Sequence, residues 1–360
     1  MIHKTQETFF PVPAFLLFRS VGIDISDQTI RYAELAYKKK QLTVARHGMV
    51  ALSPGIITGG IIHDQEKVIE VLRTFARKEG ISRVRVSLPE EQVYTFRLHL
   101  PVIAHTDIMD TIALQLEEHV PIKATETVFD YAVLAYHNDA VDVQVTAVSK
   151  EIIDSYITVF TRAEMTPIAF EVETQSIARA VVKEGDSGAV MIVDFGETRT
   201  SISVVLDGVV LFGTTIDMGG DLITASIEKA FSIPFAEAEK IKREQGLLHT
   251  DTSSESFQII LNSTSVLRDE ISKNYLYWNT YTDDKGRPRP LIKEIILCGG
   301  NANLIGLPEY LSASLHVSAR LADPWANINT LDSYIPPIEH NDSLGYACAL
   351  GLALADFEYD

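Results

Sequence analysis

A chain of 360 residues, 46% of them hydrophobic and 22% charged, has room for two or three domains with an ample core and the composition of an ordinary globular protein. Its formal charge of −18 excludes a nucleic-acid groove, which needs clustered Lys and Arg, and disfavours direct docking on an anionic membrane surface. The two cysteines, Cys298 and Cys348, have no neighbouring Cys or His at metal-ligand spacing, which fits a reducing cytosol better than a zinc site or a disulfide scaffold.

The chain opens with FFPVPAFLLF at residues 9–18, an apolar stretch that is short, broken by Pro11 and Pro13, and without a small-residue cleavage site. It is a poor signal peptide and is expected to lie across the body of the protein or to dock a partner. No run reaches the roughly 18 apolar residues of a membrane span. From Ser20 a first lobe is predicted, with strands at 21–25, 30–35 and 42–50, a helix at 67–79 closed by Gly80, and a strand at 84–88. Between 92 and 170 the pattern changes. Strands at 92–98, 128–136, 141–148 and 167–170 with helices at 107–118 and 150–163 give β-α-β-β-α-β order, read as an α+β unit inserted in the first lobe. A helix at 174–182 returns to the first lobe and bridges to the second, with the boundary at 184–187.

The second lobe repeats the opening of the first. Residues 21–50 and 189–215 both run from an apolar strand ending in Asp, Asp24 or Asp194, through a small-residue turn into two further strands. Asp207-Gly208 is a type I′ hairpin signal. Helices follow at 222–231, 236–244 and about 257–281, with polar loops at 249–256 and 282–290. The chain then returns to the sheet at 294–298, followed by Gly299-Gly300 and a helix at 307–315, and residues 344–355 are expected to close the second lobe. The expected division is an extension at 1–19, a first lobe at 20–91 and 171–186, the insertion at 92–170, a second lobe at 187–225 and 291–360, and a helical subdomain at 226–290.

Two aspartates at symmetry-related strand ends can face one hydrated divalent cation across a cleft, and Mg²⁺ keeps several waters while touching substrate phosphates. In the first turn Asp24 would hold the hydration shell while Ser26 and Thr29 offer hydroxyls; alone, Asp-x-Ser at a hairpin is more often an ordinary Asx or Ser turn. In the second, Gly196 permits close backbone approach and Thr198 and Thr200 are candidate phosphate donors, whereas Glu197 is unhelpful beside phosphate and is expected to point away. Gly299-Gly300, after a buried strand, leaves room for a planar base against the backbone.

In this order, the two Asp turns, Gly219-Gly220-Asp221, Ala238-Glu239-Lys240-Ile241-Lys242 and Cys298-Gly299-Gly300 resemble the actin/DnaK/FtsA ATPase superfamily. Closer similarity to the PilM family of type IV pilus assembly is carried by Gly22-Ile23-Asp24-Ile25, Glu118-His119-Val120-Pro121-Ile122, Phe129-Asp130-Tyr131, residues 168–173 (IAFEVE), Ala178-Arg179-Ala180 and residues 306–311 (GLPEYL). The resemblance implies an α/β actin-like fold, two ribonuclease-H-like lobes with an FtsA/PilM-type subdomain inserted in the first. It implies ATP and Mg²⁺ as cofactors, Asp24 and Asp194 on the metal through water, and Glu173 positioning the attacking water. Glu239 and Lys242, one helical turn apart, match the ribose and adenine contacts, and Gly219, Gly220, Gly299 and Gly300 the backbone contacts. By their residues alone, Glu239 and Lys242 read as a solvated ion pair. Three departures bear on hydrolysis: Ser26 replaces the usual Gly, Asn303 stands where relatives place an adenine-stacking Arg, and no Lys is placed for the γ-phosphate.

The function the resemblance implies is a cytoplasmic ATP-binding scaffold, peripheral to the inner membrane through its partners. It would take the N-terminal peptide of a PilN-like membrane protein in a groove lined from 94–100, 111–122 and around Tyr131. Pilus assembly ATPases and further copies of the chain are additional candidate partners. The alternatives are an actin-fold ATPase or kinase with genuine turnover, for which no second substrate motif is found, and an FtsA-like division protein, for which the expected C-terminal amphipathic helix is not found.

Overall fold

The computed structural model describes residues 19–38, 41–247, 254–282, 286–328 and 334–357. The apolar segment at 9–18, and parts of the polar loops at 249–256 and 282–290, lie outside the described residues. In chain order, β1 (Val21–Ile25), β2 (Thr29–Lys38) and β3 (Gln41–Ala51) lead through a short ladder of β4 (Ile57–Thr58) and β5 (Ile61–Ile62) into α1 (Gln65–Glu79) and β6 (Arg83–Leu88). Asp64 caps α1 by accepting from the Lys67 amide, and Gly80 ends it in the left-handed region at φ 66°. The insertion contributes β7 (Val93–Pro101), α2 (His105–His119), β8 (Thr127–Tyr136) and β9 (Ala140–Ser149), after which come α3 (Lys150–Arg162), β10 (Thr166–Val172) and α4 (Glu173–Val181).

The second lobe runs β11 (Ala189–Phe195), β12 (Thr200–Leu206), β13 (Val209–Ile216), α5 (Gly220–Phe231), α6 (Phe235–Gln245), α7 (Glu255–Thr280), β14 (Ile292–Cys298), α8 (Leu307–Leu315), β15 (Ser318–Leu321), α9 (His340–Ser343) and α10 (Ala347–Leu354). Asp207 and Gly208 both have positive φ, 52° and 80°, as a type I′ turn between β12 and β13 requires.

The repeat in the sequence becomes a repeat of topology. The sheets run β10-β6-β1-β2-β3 and β13-β12-β11-β14-β15. In each, an antiparallel three-strand meander is extended beyond its first strand by two parallel strands. The first strands, β1 and β11, are therefore central, and their continuous apolar runs are buried on both faces except at the Asp that ends β11.

Two expected boundaries differ. The inserted unit is β-α-β-β, a sheet of order β7-β9-β8 covered by α2, because α3 and β10 belong to the first lobe. β10 pairs in parallel with β6, while Tyr156, Val159 and Phe160 of α3 share a core with Ile69, Leu72 and Phe75 of α1. The closing helix also crosses over. Rather than capping the second lobe, α10 lies against β1, β2 and α4. Gly22 and Gly351 allow this approach: a Cβ on Gly22 would collide with the Ala349 carbonyl, and one on Gly351 with that of Ser176. Among the described residues no helix is long and apolar enough to cross a membrane.

Candidate functional site

The two sheets meet so that Asp24 near the end of β1, Asp194 near the end of β11 and Glu173 at the start of α4 line one cavity of about 100 Å³ between the lobes. Ser87 on β6 donates to Asp24 Oδ1 (3.0 Å) while accepting from the Ile25 amide (3.1 Å). Cys348 on α10 hydrogen-bonds to Asp24, and Cys298 at the end of β14 to Asp194, so each aspartate carries one buried thiol. Burial pushes both thiols well up, and the carboxylates beside them add to it.

Burial also raises all three carboxyls. Asp194 is pushed up to about 6, and Glu173, hydrogen-bonded to it and flanked by both aspartates, lies well above the ordinary glutamate range. Three acids share this pocket, and a cation that replaces their protons would relieve the mutual repulsion; the donor set fits a divalent ion approached through water. No three His, Cys, Asp or Glu side chains among the described residues are arranged to ligate an ion directly.

The cation that sequence reasoning missed is Arg31. It lies opposite Asp24 in the β1–β2 ladder, so strand alternation aims it at the same cavity. Its Nη1 donates to Thr29 Oγ1 (2.8 Å), and its Nη2 lies 3.5 Å from Glu197 Oε1. The seven-residue step from Asp24 to Arg31 across a hairpin was the available signal, but it becomes legible only once the register is known.

The first turn is largely self-satisfied: Ser26 Oγ accepts from the Thr29 amide (3.1 Å) and contacts Thr29 Oγ1 (2.9 Å). Ser26 still lines the cavity, whereas Thr29 is buried and serves to position Arg31. In the second turn Gly196 and Thr198 line the cavity. Thr200 does not: it is fully buried, and its hydroxyl donates to the Met218 carbonyl (2.6 Å). Glu197, expected to point away, lines the cavity and faces Arg31.

Gly299 has φ 88°, and a Cβ there would strike the Asp194 carboxylate, so this glycine gives Asp194 its room. Gly300 is exposed with open space beside it. Gly219 and Gly220 lie outside the cavity lining, tight against the Glu197 carbonyl and the Asn301 side chain. Asn301, also missed, joins these parts: its Nδ2 donates to the Gly196 carbonyl (2.9 Å) and its Oδ1 accepts from Lys242 (2.8 Å). Lys242 is buried, with Nζ 2.7 Å from Glu239 and 3.2 Å from the Gly220 carbonyl, and Glu239 accepts from Thr224 as well. The pair is thus a clamp with a buried lysine and a half-buried glutamate rather than a solvated one. Asn303 lies apart from the cavity, donating to the Asn341 carbonyl (2.7 Å).

A second and larger cavity, about 1370 Å³, separates the inserted sheet from the β12–β13 hairpin. Of the segments expected to line a groove, Tyr94, Phe96, Arg97, His119 and Tyr131 do so. Leu98, Leu100, Ile112 and Leu116 are instead core beneath α2. The opposite wall, Leu206–Thr215, comes from the second lobe and was not foreseen. Gln144 on β9 donates to the Val210 carbonyl (2.7 Å), and the Val210 amide donates to Gln175 on α4 (3.2 Å), so side chains occupy part of the β13 edge.

A family model described as "Type IV pilus assembly protein PilM" matches residues 22–357. Among solved structures, the chain is similar to a PilM-PilN type IV pilus biogenesis complex, with a TM-score of 0.78 and 18% identity over 94% of this chain and 99% of that one. It is also similar to the ethanolamine utilization protein EutJ from Carboxydothermus hydrogenoformans (TM-score 0.56, 16% identity, 98% of each chain). A third neighbour is MreB5 of Spiroplasma citri bound to ADP (TM-score 0.56, 13% identity, 93% of this chain and 95% of that one). The fold is actin-like. The curated cell division protein FtsA of Buchnera aphidicola subsp. Baizongia pistaciae (strain Bp) is 26% identical over 163 residues, and the match spans 39% of this chain and 39% of that relative.

Proposed function

The chain belongs to the type IV pilus assembly protein PilM family, and from that premise we propose that it is an ATP-binding scaffold receiving the cytoplasmic N-terminal peptide of a PilN-like inner-membrane protein. The scaffold would sit at the cytoplasmic face of the membrane through that partner. The nucleotide reading is supported by the paired strand-end aspartates, Arg31 and the open face of Gly300. Mg²⁺, when bound with ATP, would supply the positive charge that the three carboxylates lack, reached through water by Asp24 and Asp194. Thr198 and Arg31 would meet phosphate oxygens, Ser26 would line the first turn, and Gly299-Gly300 would face the base. Glu239 and Lys242 would act by fixing Gly220 and Asn301 beneath the nucleoside. Glu173 would orient a water; burial and the two neighbouring aspartates raise its carboxyl well above the ordinary glutamate range, and with no Lys for the γ-phosphate we read the chain as a slow ATPase at most.

The observation that carries the scaffold reading is that the two cavities share walls. Glu91 and Thr215 line both the interlobe cleft and the groove beside the inserted sheet. Arg199 of the second turn pairs with Glu91 at 2.6 Å, and the Thr215 hydroxyl is buried without a partner between them. Movement of one lobe against the other changes both spaces, the differential contact that coupling between two ligands requires. The test is titration of a labelled N-terminal peptide of the PilN-like protein with and without Mg²⁺ and ATP. A shift in peptide affinity of about fivefold or more is expected. Binding that ignores ATP would remove the coupling, and absence of binding in every condition would remove the peptide reading.

A further inference from the structure

We infer that Glu197 is an internal anion that holds Arg31 while the cleft is closed, so that a phosphate group enters by displacing it. The inference rests on the reading of this cleft as a nucleotide site and adds to it a gate and a requirement on the charge of the ligand.

The cleft is shut by its own side chains. Its volume of about 100 Å³ is well below the roughly 300–1,000 Å³ of pockets that hold small-molecule ligands. Polar bridges cross the cleft at Arg31–Glu197 (3.5 Å), Gln28 Nε2 donating to Asp221 Oδ2 (2.6 Å), Thr198 Oγ1 donating to Asp27 Oδ2 (3.4 Å) and Arg199–Glu91 (2.6 Å). In each, a carboxylate from one lobe engages a donor from the other. The two groups best placed for phosphate, the Arg31 guanidinium and the Thr198 hydroxyl, are therefore already occupied by anionic oxygens.

The Glu197 side chain is the part of this arrangement that can leave. Its carboxylate is about one-third exposed (34%), against 15% for Arg31, so it can turn into water without unpacking the core. Its backbone stays fixed, because the Glu197 carbonyl accepts from the Asp221 amide (2.9 Å) and sits tight against Gly219. Arg31 also stays, held by Thr29. Displacement of Glu197 thus exposes a guanidinium already in position.

The same lining sets the ligand class. Carboxylates of Asp24, Asp27, Glu91, Glu173, Asp194 and Glu197 surround the cavity, against the guanidiniums of Arg31 and Arg199. A bare polyphosphate meets a surplus of negative charge, so the species admitted is a nucleotide whose phosphates are neutralised by a divalent cation.

The experiment compares wild type with Glu197→Gln, which keeps the size of the side chain and removes its charge. Amide hydrogen exchange without nucleotide reads the gate itself; calorimetric titration with ATP, with and without Mg²⁺, reads the site. Faster exchange at residues 24–31 and 194–201 in the variant, with three- to tenfold tighter Mg²⁺-dependent ATP binding, is the expected result. Unchanged exchange overturns the gate whatever the titration gives, and so does unchanged or weaker ATP affinity in a variant that exchanges faster while both proteins bind. If neither protein binds nucleotide but Glu197→Gln exchanges faster, the nucleotide reading fails and the pair stands as a latch between the lobes. ATP binding by wild type without Mg²⁺ at equal strength overturns the charge requirement.

Discussion

The two strand-end turns occupy equivalent places in two sheets of the same topology, yet they have diverged in what they bring to the cleft. The first carries the cation: Arg31, placed opposite Asp24 and steadied by Thr29. The second carries the anion that meets it, Glu197, and its equivalent ladder position opposite Asp194 is the small Ser201. The hydroxyls differ as well. Ser26 spends its hydrogen bonds within its own turn, whereas Thr198 reaches across to the other lobe. The repeated topology therefore brings two aspartates to one cavity without repeating the residues around them.

The largest expected effect separates the two aspartates. Asp194→Ala should weaken Mg²⁺-dependent ATP binding by about 100-fold, roughly 3 kcal/mol, and Asp24→Ala by less, because Asp24 is partly neutralised by Arg31 in its own lobe while Asp194 shares its site with Glu173. Calorimetry on both variants checks the order, and equal losses would mean that the two turns contribute alike. A smaller effect distinguishes the neighbouring glycines. Gly299→Ala should cost about 2 kcal/mol of stability, from a positive-φ backbone and overpacking against Asp194. Gly300→Ala should leave the melting temperature in place and lower nucleotide affinity alone. Thermal melts paired with titrations read both, and a destabilised Gly300→Ala protein would contradict the open space beside that residue.

The smallest effect lies at the join between the inserted unit and the second lobe. Glu90 is half-buried with its carboxyl against β13, accepts from Thr174 (2.7 Å), and is raised above the usual glutamate range by the burial of that carboxyl. A raised folded-state value means that the proton held there stabilises the fold fully below the unfolded value near 4.5, and that this contribution is lost as pH rises through the folded value. Glu90→Gln should therefore gain melting temperature relative to wild type as pH is raised from 5 to 8. A difference that shrinks with rising pH would reverse the sign and refute the assignment.

Much of the architecture was legible because it is written in local patterns. Alternation and turn residues located the strands, Gly80 closed α1, and Asp207-Gly208 named its turn type. The repeat ending in Asp24 and Asp194 named two carboxyls that the structure brings to one cavity. Thr200 misled because strand alternation, not residue type, decides whether a hydroxyl faces the cleft, and here it faces Met218. The segment at 150–170 misled because β10 is equally good strand in either sheet; only its register against β6 assigns it to the first lobe.

By itself the sequence determined the repeat, the two aspartates that end its strands and the membership of the family, whereas the room that Gly299 leaves for Asp194 came from the structure. Tertiary structure alone decided that Arg31 and Glu197 meet, that Lys242 is buried on Asn301, that α10 crosses to the first lobe, and that cleft and groove share Glu91 and Thr215. The physical reason is range. Periodicity and turn chemistry act over a few residues and leave a mark in the order of the chain. Pairs such as Arg31 and Glu197 are set by the docking of two sheets far apart in the chain, which no local pattern encodes.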